Sequence, residues 1–120
     1  MDTILVLDDE KEIRNIIQKF LIKKGFQVFT AGSGEEALVI IEKGKPDLFI
    51  LDKGMPGIGS AGVIRYLEEK NLHIPFIILT GSPAEPDILK DIKGADESDF
   101  LFKPVDLGIL LEKVKQKLTI

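Results

Sequence analysis

The sequence predicts an α/β fold in which helices cover both faces of a parallel sheet. Short apolar runs alternate with amphipathic segments along the 120 residues, without a repeat or a linker-like stretch. Regular alternation of strand and helix signals is typical of a parallel sheet with crossover helices. The apolar runs are mostly continuous, as expected of strands that are buried on both faces. We therefore expect five consecutive βα units in one doubly wound sheet.

Each strand and each helix is predicted from its own hydrophobic pattern. The strands are predicted at residues 4–7, 26–30, 48–51, 76–79 and 100–102. Between and after them, apolar residues recur at spacings of three and four, which is typical of helices that bury one face. These helical positions are Ile13, Ile16, Ile17, Phe20 and Leu21; Ala37, Leu38, Ile40 and Ile41; Val63, Ile64 and Leu67; Ile88, Leu89 and Ile92; and Leu107, Leu110, Leu111, Val114 and Leu118.

Capping signals mark several of the predicted helix ends. Asp9 precedes Glu12 by three residues, and Ser33 precedes Glu36 by the same spacing. At this spacing both side chains can accept hydrogen bonds from free amide groups of the first turn. Glycines are expected to end the first two helices, an aspartate is expected to cap the last helix, and a proline fits the first turn of the fourth. These residues are Gly25, Gly44, Asp106 and Pro86.

Composition excludes several classes of function. There are 16 basic and 20 acidic residues, for a formal net charge of −4, so direct binding of nucleic acid is not expected. The absence of cysteine excludes disulfides and thiolate metal sites. No apolar run approaches the roughly 20 residues that span a bilayer, and no basic segment precedes the first apolar run. We expect one domain over residues 1–120, located in the cytoplasm and not bound to a membrane.

Charged and polar residues follow four of the five predicted strands. Asp8 and Asp9 follow the first strand, Asp52 the third, Thr80 the fourth and Lys103 the fifth. The carboxyl ends of parallel strands open at one edge of the sheet, where such folds bind their ligands. The sequence therefore predicts one site built from all of these residues.

The chemistry of this predicted site is that of phosphoryl transfer. Three carboxylates at one edge repel one another unless a cation lies among them. Oxygen ligands with few carboxylates suit Mg²⁺, for which Mn²⁺ can substitute. A carboxylate beside such an ion can act as a nucleophile towards phosphorus, while Lys103 and Thr80 would contact the phosphoryl oxygens. The Lys103–Pro104 peptide is expected to be cis, which would direct the lysine into the site.

Five short motifs in order resemble the receiver domain of two-component response regulators, of which the chemotaxis regulators are examples. They are Asp8-Asp9-Glu10, the string LFILDKGMPG at residues 48–57, Ile78-Leu79-Thr80-Gly81, Gly94-Ala95-Asp96 and Phe102-Lys103-Pro104. The resemblance covers essentially the whole chain. It implies a flavodoxin-like (βα)₅ fold with strand order 2-1-3-4-5 and helices on both faces.

The resemblance also implies a role for each residue of the site. Asp52 would accept a phosphoryl group from a phosphohistidine on a sensor histidine kinase or a histidine phosphotransfer protein. Asp9, Asp52 and the backbone carbonyl of Gly54 would bind Mg²⁺ directly, and Asp8 partly through water. The chain would catalyse only its own phosphorylation and dephosphorylation, so it would not be an enzyme acting on other substrates.

A conformational switch is the second implication of the resemblance. The hydroxyl of Thr80 would move towards the new phosphoryl group, and Phe100, three residues before Lys103, would follow it inward. The face formed by the fourth predicted helix, the fifth strand and the last helix would then change its affinity for a downstream effector.

Three alternatives remain open from the sequence. A pseudo-receiver would keep the fold and bind proteins without phosphorylation. A phosphatase of the haloacid dehalogenase type also uses an aspartate nucleophile, but it needs a second aspartate two residues later, where this chain has Gly54. A flavodoxin would need a phosphate-binding loop rich in serine, threonine and glycine after the first strand, and none is present there.

Overall fold

A computed structural model describes residues 2–52, 59–81 and 99–118, and these contain a five-stranded parallel sheet. The strands are paired in the order β2-β1-β3-β4-β5, which confirms the predicted fold class and strand order. Each strand lies at its predicted place, and no strand end differs from its predicted position by more than one residue. They are β1 Thr3–Leu7, β2 Gln27–Ala31, β3 Leu48–Asp52, β4 Phe76–Thr80 and β5 Phe100–Phe102.

Two hydrophobic clusters lie on opposite faces of this sheet. Alternate residues of a strand point to opposite faces, so Ile4 and Val6 of β1 belong to one cluster and Leu5 and Leu7 to the other. All five residues of the central strand β3 are buried, whereas the edge strand β2 is partly exposed. The continuous apolar run of β3 therefore reflects burial on both of its faces.

Four described helices cover the two faces. They are α1 Lys11–Lys23, α2 Gly34–Lys43, α3 Gly59–Glu69 and α4 Leu107–Lys117, the last of which is the fifth helix predicted from the sequence. The first and last contribute to the cluster around Ile4, and α2 and α3 contribute to the cluster around Leu5. The helix predicted around Ile88, Leu89 and Ile92, with Pro86 in its first turn, lies outside the described residues. None of the described helices is long and apolar enough to cross a membrane.

The helix ends confirm most of the predicted caps. The hydroxyl of Ser33 accepts a hydrogen bond from the amide of Glu36 at 3.2 Å, and Asp106 accepts one from the amide of Ile109 at 3.0 Å. Gly44 is the C-cap of α2. Gly25 follows the C-cap of α1 with φ of 98°, a backbone conformation that favours glycine.

The predicted cap at Asp9 is wrong. Helix α1 begins at Lys11, and its N-cap is Glu10, which makes no side-chain capping hydrogen bond. Oδ1 of Asp8 instead accepts a hydrogen bond from the amide of Glu10 at 2.8 Å. This contact holds residues 8–10 in a turn, so the helix begins one residue later than the capping pattern predicts.

We predict that Ser33→Ala lowers the free energy of unfolding by about 1 kcal/mol, because one amide of the first turn of α2 loses its acceptor. Ser33→Asp keeps an oxygen acceptor and is the matched control, expected to lie within about 0.5 kcal/mol of the wild type. Urea unfolding followed by circular dichroism measures both variants. Equal destabilisation by the two variants would show that the cap is not the cause.

Candidate functional site

The carboxyl edge of the sheet brings together the polar residues that the sequence predicts there. Asp8 follows β1, Asp52 ends β3, Thr80 ends β4 and Lys103 follows β5. These four strands are neighbours in the sheet in that order, so their ends lie side by side. Asp8, Asp52 and Thr80 are 0%, 6% and 2% exposed, which is unusual for polar groups and points to a specific role.

The ammonium group of Lys103 lies among three carboxylates at this edge. Its Nζ is 3.2 Å from Oδ1 of Asp52, 3.6 Å from Oδ2 of Asp8 and 3.6 Å from Oε1 of Glu10. The amide of Lys103 donates to the carbonyl of Thr80 at 2.8 Å, and the Lys103–Pro104 peptide is cis. The backbone therefore ties the lysine to the end of β4 while its side chain reaches across to the ends of β1 and β3.

The site carries more negative charge than one lysine neutralises. Burial raises the pKa of Asp8 to about 6, assisted by the charge of Asp52 and opposed by the hydrogen bond from the Glu10 amide and by Lys103. Burial lowers the pKa of Lys103, but the charges of Asp52 and Asp8 outweigh it and the net pKa is raised. Burial thus makes the charged form of Asp8 less favourable than it is in water, and Lys103 stays protonated.

The acidic loop fits a hard divalent cation. Carboxylate oxygens of Asp8, Asp9 and Glu10 lie within 4.8 Å of one another. Oδ2 of Asp8 is buried and, within the part of the chain that the structure describes, has no hydrogen-bond partner. Three adjacent oxygen donors, one of them buried and unsatisfied, suit Mg²⁺ or Mn²⁺.

The acidic group that could hold a cation overlaps the predicted ligands only in part. Asp8 and Asp9 are in it, and Glu10 joins them although the sequence analysis gave it no role. Its position directly after the acidic pair was the available signal. Among the described residues Asp52 is not part of this group, although its Oδ1 is 3.2 Å from Nζ of Lys103. Gly54, the predicted backbone ligand, lies outside the described residues.

The two residues assigned to a switch are both buried. Thr80 is at the end of β4, beside the anchored backbone of Lys103. Phe100 is 9% exposed and belongs to the same core cluster as Leu51 and Ile78. The aromatic ring is thus already in the core of this structure, and the predicted inward movement remains a prediction.

We expect the charge conflict at Asp8 to lower the stability of the folded protein. We predict that Asp8→Asn raises the free energy of unfolding at neutral pH by about 1 to 3 kcal/mol in a chelating buffer, because each unit of pKa shift corresponds to about 1.4 kcal/mol. The amide oxygen of asparagine can still accept the hydrogen bond from Glu10. The carboxyl pKa is raised from 3.8 to about 6, so the wild type loses stability as the pH rises through this window.

The advantage of Asp8→Asn should therefore be largest above pH 6 and vanish below pH 3.8. Thermal or urea unfolding across this pH range measures it. Glu112→Gln, an exposed site on α4, is the matched control and should show little change. An advantage for Asp8→Asn that stays constant over the whole range would contradict the assignment to the carboxyl charge.

Comparison with known proteins identifies relatives that are similar in sequence. The chain matches the response regulator receiver domain family over residues 4–115. The alkaline phosphatase synthesis transcriptional regulatory protein PhoP of Bacillus subtilis is 39% identical over 102 residues, which are 84% of this chain and 42% of that protein. Sporulation initiation phosphotransferase F of the same organism is 31% identical over 117 residues, 98% of this chain and 94% of that protein.

Most of the similar curated proteins are longer than this chain. It spans 42% to 50% of the length of four of them, including PhoP, the regulatory protein VanR of Enterococcus faecium and AfsQ1 of Streptomyces coelicolor. The chain therefore corresponds to only a part of each of these proteins.

Solved structures show the same fold over nearly the full chain. The receiver domain of a Francisella response regulator has a TM-score of 0.87 at 26% identity and covers 99% of this chain and 98% of its own. The chemotaxis protein CheY4 of Vibrio cholerae has a TM-score of 0.84 at 27% identity and covers 98% of this chain and 99% of its own. Since the family match extends over residues 4–115 and the 31% identical phosphotransferase F is covered over 94% of its length, this protein belongs to the receiver domains of two-component response regulators.

Proposed function

We propose that this receiver domain accepts a phosphoryl group on Asp52 from a phosphohistidine of a sensor histidine kinase or histidine phosphotransfer protein. The observation that supports this most strongly is the position of Lys103, whose Nζ lies 3.2 Å from the carboxylate of Asp52 and 3.6 Å from that of Asp8. The proposed nucleophile, a lysine ammonium group and an acidic loop that could hold a metal thus share one edge of the sheet. The location would be the cytoplasm, with residues 1–120 as one receiver domain.

The transfer step uses groups that the chain itself supplies. A carboxylate oxygen of Asp52 attacks phosphorus, an O–P bond forms, and the P–N bond to the imidazole of the donor breaks as the imidazole leaves. The ammonium group of Lys103 would contact the phosphoryl oxygens that bear charge in the transition state. Its contact with Asp52 before the reaction holds the nucleophile beside the position of the incoming group.

A divalent cation would complete the charge balance of the site. Asp8, Asp9 and Asp52 would hold Mg²⁺, with Glu10 close by and with the backbone carbonyl of Gly54 as the expected further ligand. When bound, the ion neutralises charge on the transferring phosphoryl oxygens. The unsatisfied Oδ2 of Asp8 and the proximity of three carboxylates support this assignment.

Phosphorylation would act on the rest of the domain through Thr80 and Phe100. The carbonyl of Thr80 is bonded to the amide of Lys103, so the two strand ends at the site are coupled through the backbone. Phe100 begins the strand that ends beside Lys103. A hydrogen bond from the Thr80 hydroxyl to the phosphoryl group would alter the packing around Phe100 and thereby the effector-binding face. The fourth predicted helix, which belongs to that face, lies outside the described residues.

Intact mass spectrometry after incubation with acetyl phosphate tests this function. We expect one phosphoryl adduct when Mg²⁺ is present and none when EDTA replaces it. Hydroxylamine should remove the adduct, because an aspartyl phosphate is a reactive acyl phosphate. The reaction is limited to the chain itself, so no continued turnover of acetyl phosphate beyond its own dephosphorylation is expected.

A folded protein that acquires no adduct from acetyl phosphate or from a phosphorylated histidine donor would overturn the proposal. The pseudo-receiver, a module that binds proteins without phosphorylation, would then be the better description. An adduct that forms equally well in EDTA would contradict the role of the metal while leaving the acceptor chemistry in place.

A further inference from the structure

Arg14 of α1 reaches back to the acidic loop and contacts its backbone. Its Nη1 donates a hydrogen bond to the carbonyl oxygen of Asp8 at 2.7 Å. Arg14 makes no ion pair with a carboxylate among residues 2–52, 59–81 and 99–118. In the described part of the chain, the guanidinium thus bonds to a peptide group of the loop and forms no ion pair with the charged side chains around it.

The contacted carbonyl belongs to the peptide that joins Asp8 to Asp9. Because a peptide group is planar, fixing its oxygen also fixes the direction in which the chain enters Asp9. The amide of Asp8 is held by the carbonyl of Ala31 at 3.1 Å, and the amide of Glu10 is held by Oδ1 of Asp8 at 2.8 Å. Arg14 therefore adds the contact that orients the middle of this three-residue loop.

No side-chain cap at the start of α1 orients this loop. The N-cap residue of α1, Glu10, makes no side-chain capping hydrogen bond. The backbone amide of Arg14 bonds to the carbonyl of Glu10 at 3.1 Å, so the residue that holds the Asp8 carbonyl is itself anchored in the first turn of α1. The acidic loop is thus connected to a rigid element through Arg14.

Gly32 provides the space in which the guanidinium lies. A Cβ atom at Gly32 would be 2.6 Å from Nη1, 3.3 Å from Cζ and 3.6 Å from Nη2 of Arg14. Its φ is not in the left-handed region, so alanine is compatible with the backbone there. The atoms that alanine would meet are the far end of a flexible side chain. Gly32→Ala should therefore displace the guanidinium without unfolding the protein.

We propose that Arg14, kept in place by the absence of a side chain at Gly32, is a positioning residue that orients the Asp8-Asp9-Glu10 carboxylates for a divalent cation. This inference rests on the proposed Mg²⁺ site. Residues that orient metal ligands from outside change metal affinity by about 10- to 100-fold when they are replaced. We expect the lower end of that range, because the carboxylates themselves remain.

Isothermal titration of the unphosphorylated protein with Mg²⁺ tests the proposal. We expect Arg14→Met and Gly32→Ala each to raise the Mg²⁺ dissociation constant about tenfold. The double variant should bind no more weakly than Arg14→Met alone, because the alanine acts only through the arginine. Gly32→Ala retains every charge of the wild type, so its effect cannot come from the removal of a charged group.

Two matched controls accompany these variants. Arg65→Met removes an exposed arginine from α3, and Gly44→Ala adds a methyl group where no atom lies within 4 Å. Both should leave the dissociation constant unchanged. The midpoint of thermal unfolding in EDTA, measured for every variant, shows whether a change in affinity follows from a general loss of structure.

Unchanged Mg²⁺ affinity in Arg14→Met and Gly32→Ala would overturn the inference and leave the proposed function intact. So would additive effects in the double variant, since these would show that Gly32 acts by another route. Failure of the wild type to bind Mg²⁺ would overturn the proposed metal site and this inference together. If Arg14→Met does not fold, the comparison of Gly32→Ala with Gly44→Ala decides the question.

Discussion

Asp52→Asn is expected to abolish the phosphoryl adduct that the wild type forms with acetyl phosphate and Mg²⁺. Asp52 ends the central strand β3 and lies closer to the ammonium group of Lys103 than the other carboxylates of the site do. Asparagine keeps the size of the side chain but has no nucleophilic carboxylate oxygen. Intact mass spectrometry of both proteins under identical conditions measures the result.

Neither Asp8 nor Asp9 should replace Asp52 as the acceptor of the phosphoryl group. Asp8 is fully buried, and its Oδ1 is engaged with the amide of Glu10. Asp9 is exposed and, in the described part of the chain, has no ion pair with Lys103. An adduct of Asp52→Asn that peptide mapping places on Asp9 would show that the wrong carboxylate has been assigned.

The other end of β3 offers a matched control. Asp47 directly precedes this strand, is exposed, and accepts a hydrogen bond from the amide of Thr3 at 2.7 Å. Asp47→Asn applies the same chemical change at the amino edge of the sheet, far from the site. The Asp47→Asn protein should form the phosphoryl adduct to the same extent as the wild type.

Lys103→Met is expected to slow phosphorylation by acetyl phosphate on the order of 100-fold while the adduct still forms on Asp52. Removal of a preorganised group that stabilises charge in a transition state costs about 100- to 1000-fold in rate. We expect a loss at the lower end of this range, because the bound cation would continue to neutralise part of the phosphoryl charge. The time course of the adduct by intact mass, with Mg²⁺ at saturation, measures the rate.

The control for this prediction is Lys19→Met on an exposed position of α1, which should leave the rate unchanged. Lys103→Met also leaves Asp8 and Asp52 without their lysine, so its fold should be checked by circular dichroism before the rates are compared. A folded Lys103→Met protein that is phosphorylated within a few-fold of the wild-type rate would contradict the proposed role of the ammonium group.

The fold was predictable from the sequence because its signals are local. The apolar run of β3 is continuous because the strand is buried on both faces, and the spacing of Leu110 and Val114 matches one buried stripe of α4. The cap at Ser33 was predictable since the hydroxyl and the amide that it accepts from are three residues apart. The cap at Asp9 was predicted wrongly, because Asp8 holds the amide of Glu10 and delays the start of α1.

The membership of the site was predictable because a parallel sheet brings every strand's carboxyl end to one edge. Asp8, Asp52, Thr80 and Lys103 follow different strands, and the topology brings them together whatever the loops between them contain. The motif resemblance added the roles of individual residues, which spacing alone does not supply.

The sequence by itself thus determined the alternation of strands and helices, the helix faces and the edge at which the polar residues collect, whereas the strand order was implied by the family resemblance. Only the tertiary structure decided that Lys103 contacts both Asp8 and Asp52, that Glu10 joins the acidic group, and that Arg14 lies against Gly32 to hold the Asp8 carbonyl. The physical reason is the range of the interactions. Hydrophobic periodicity and capping act within a few residues, whereas these contacts depend on how α1, β2 and β5 are placed relative to one another by the packed core.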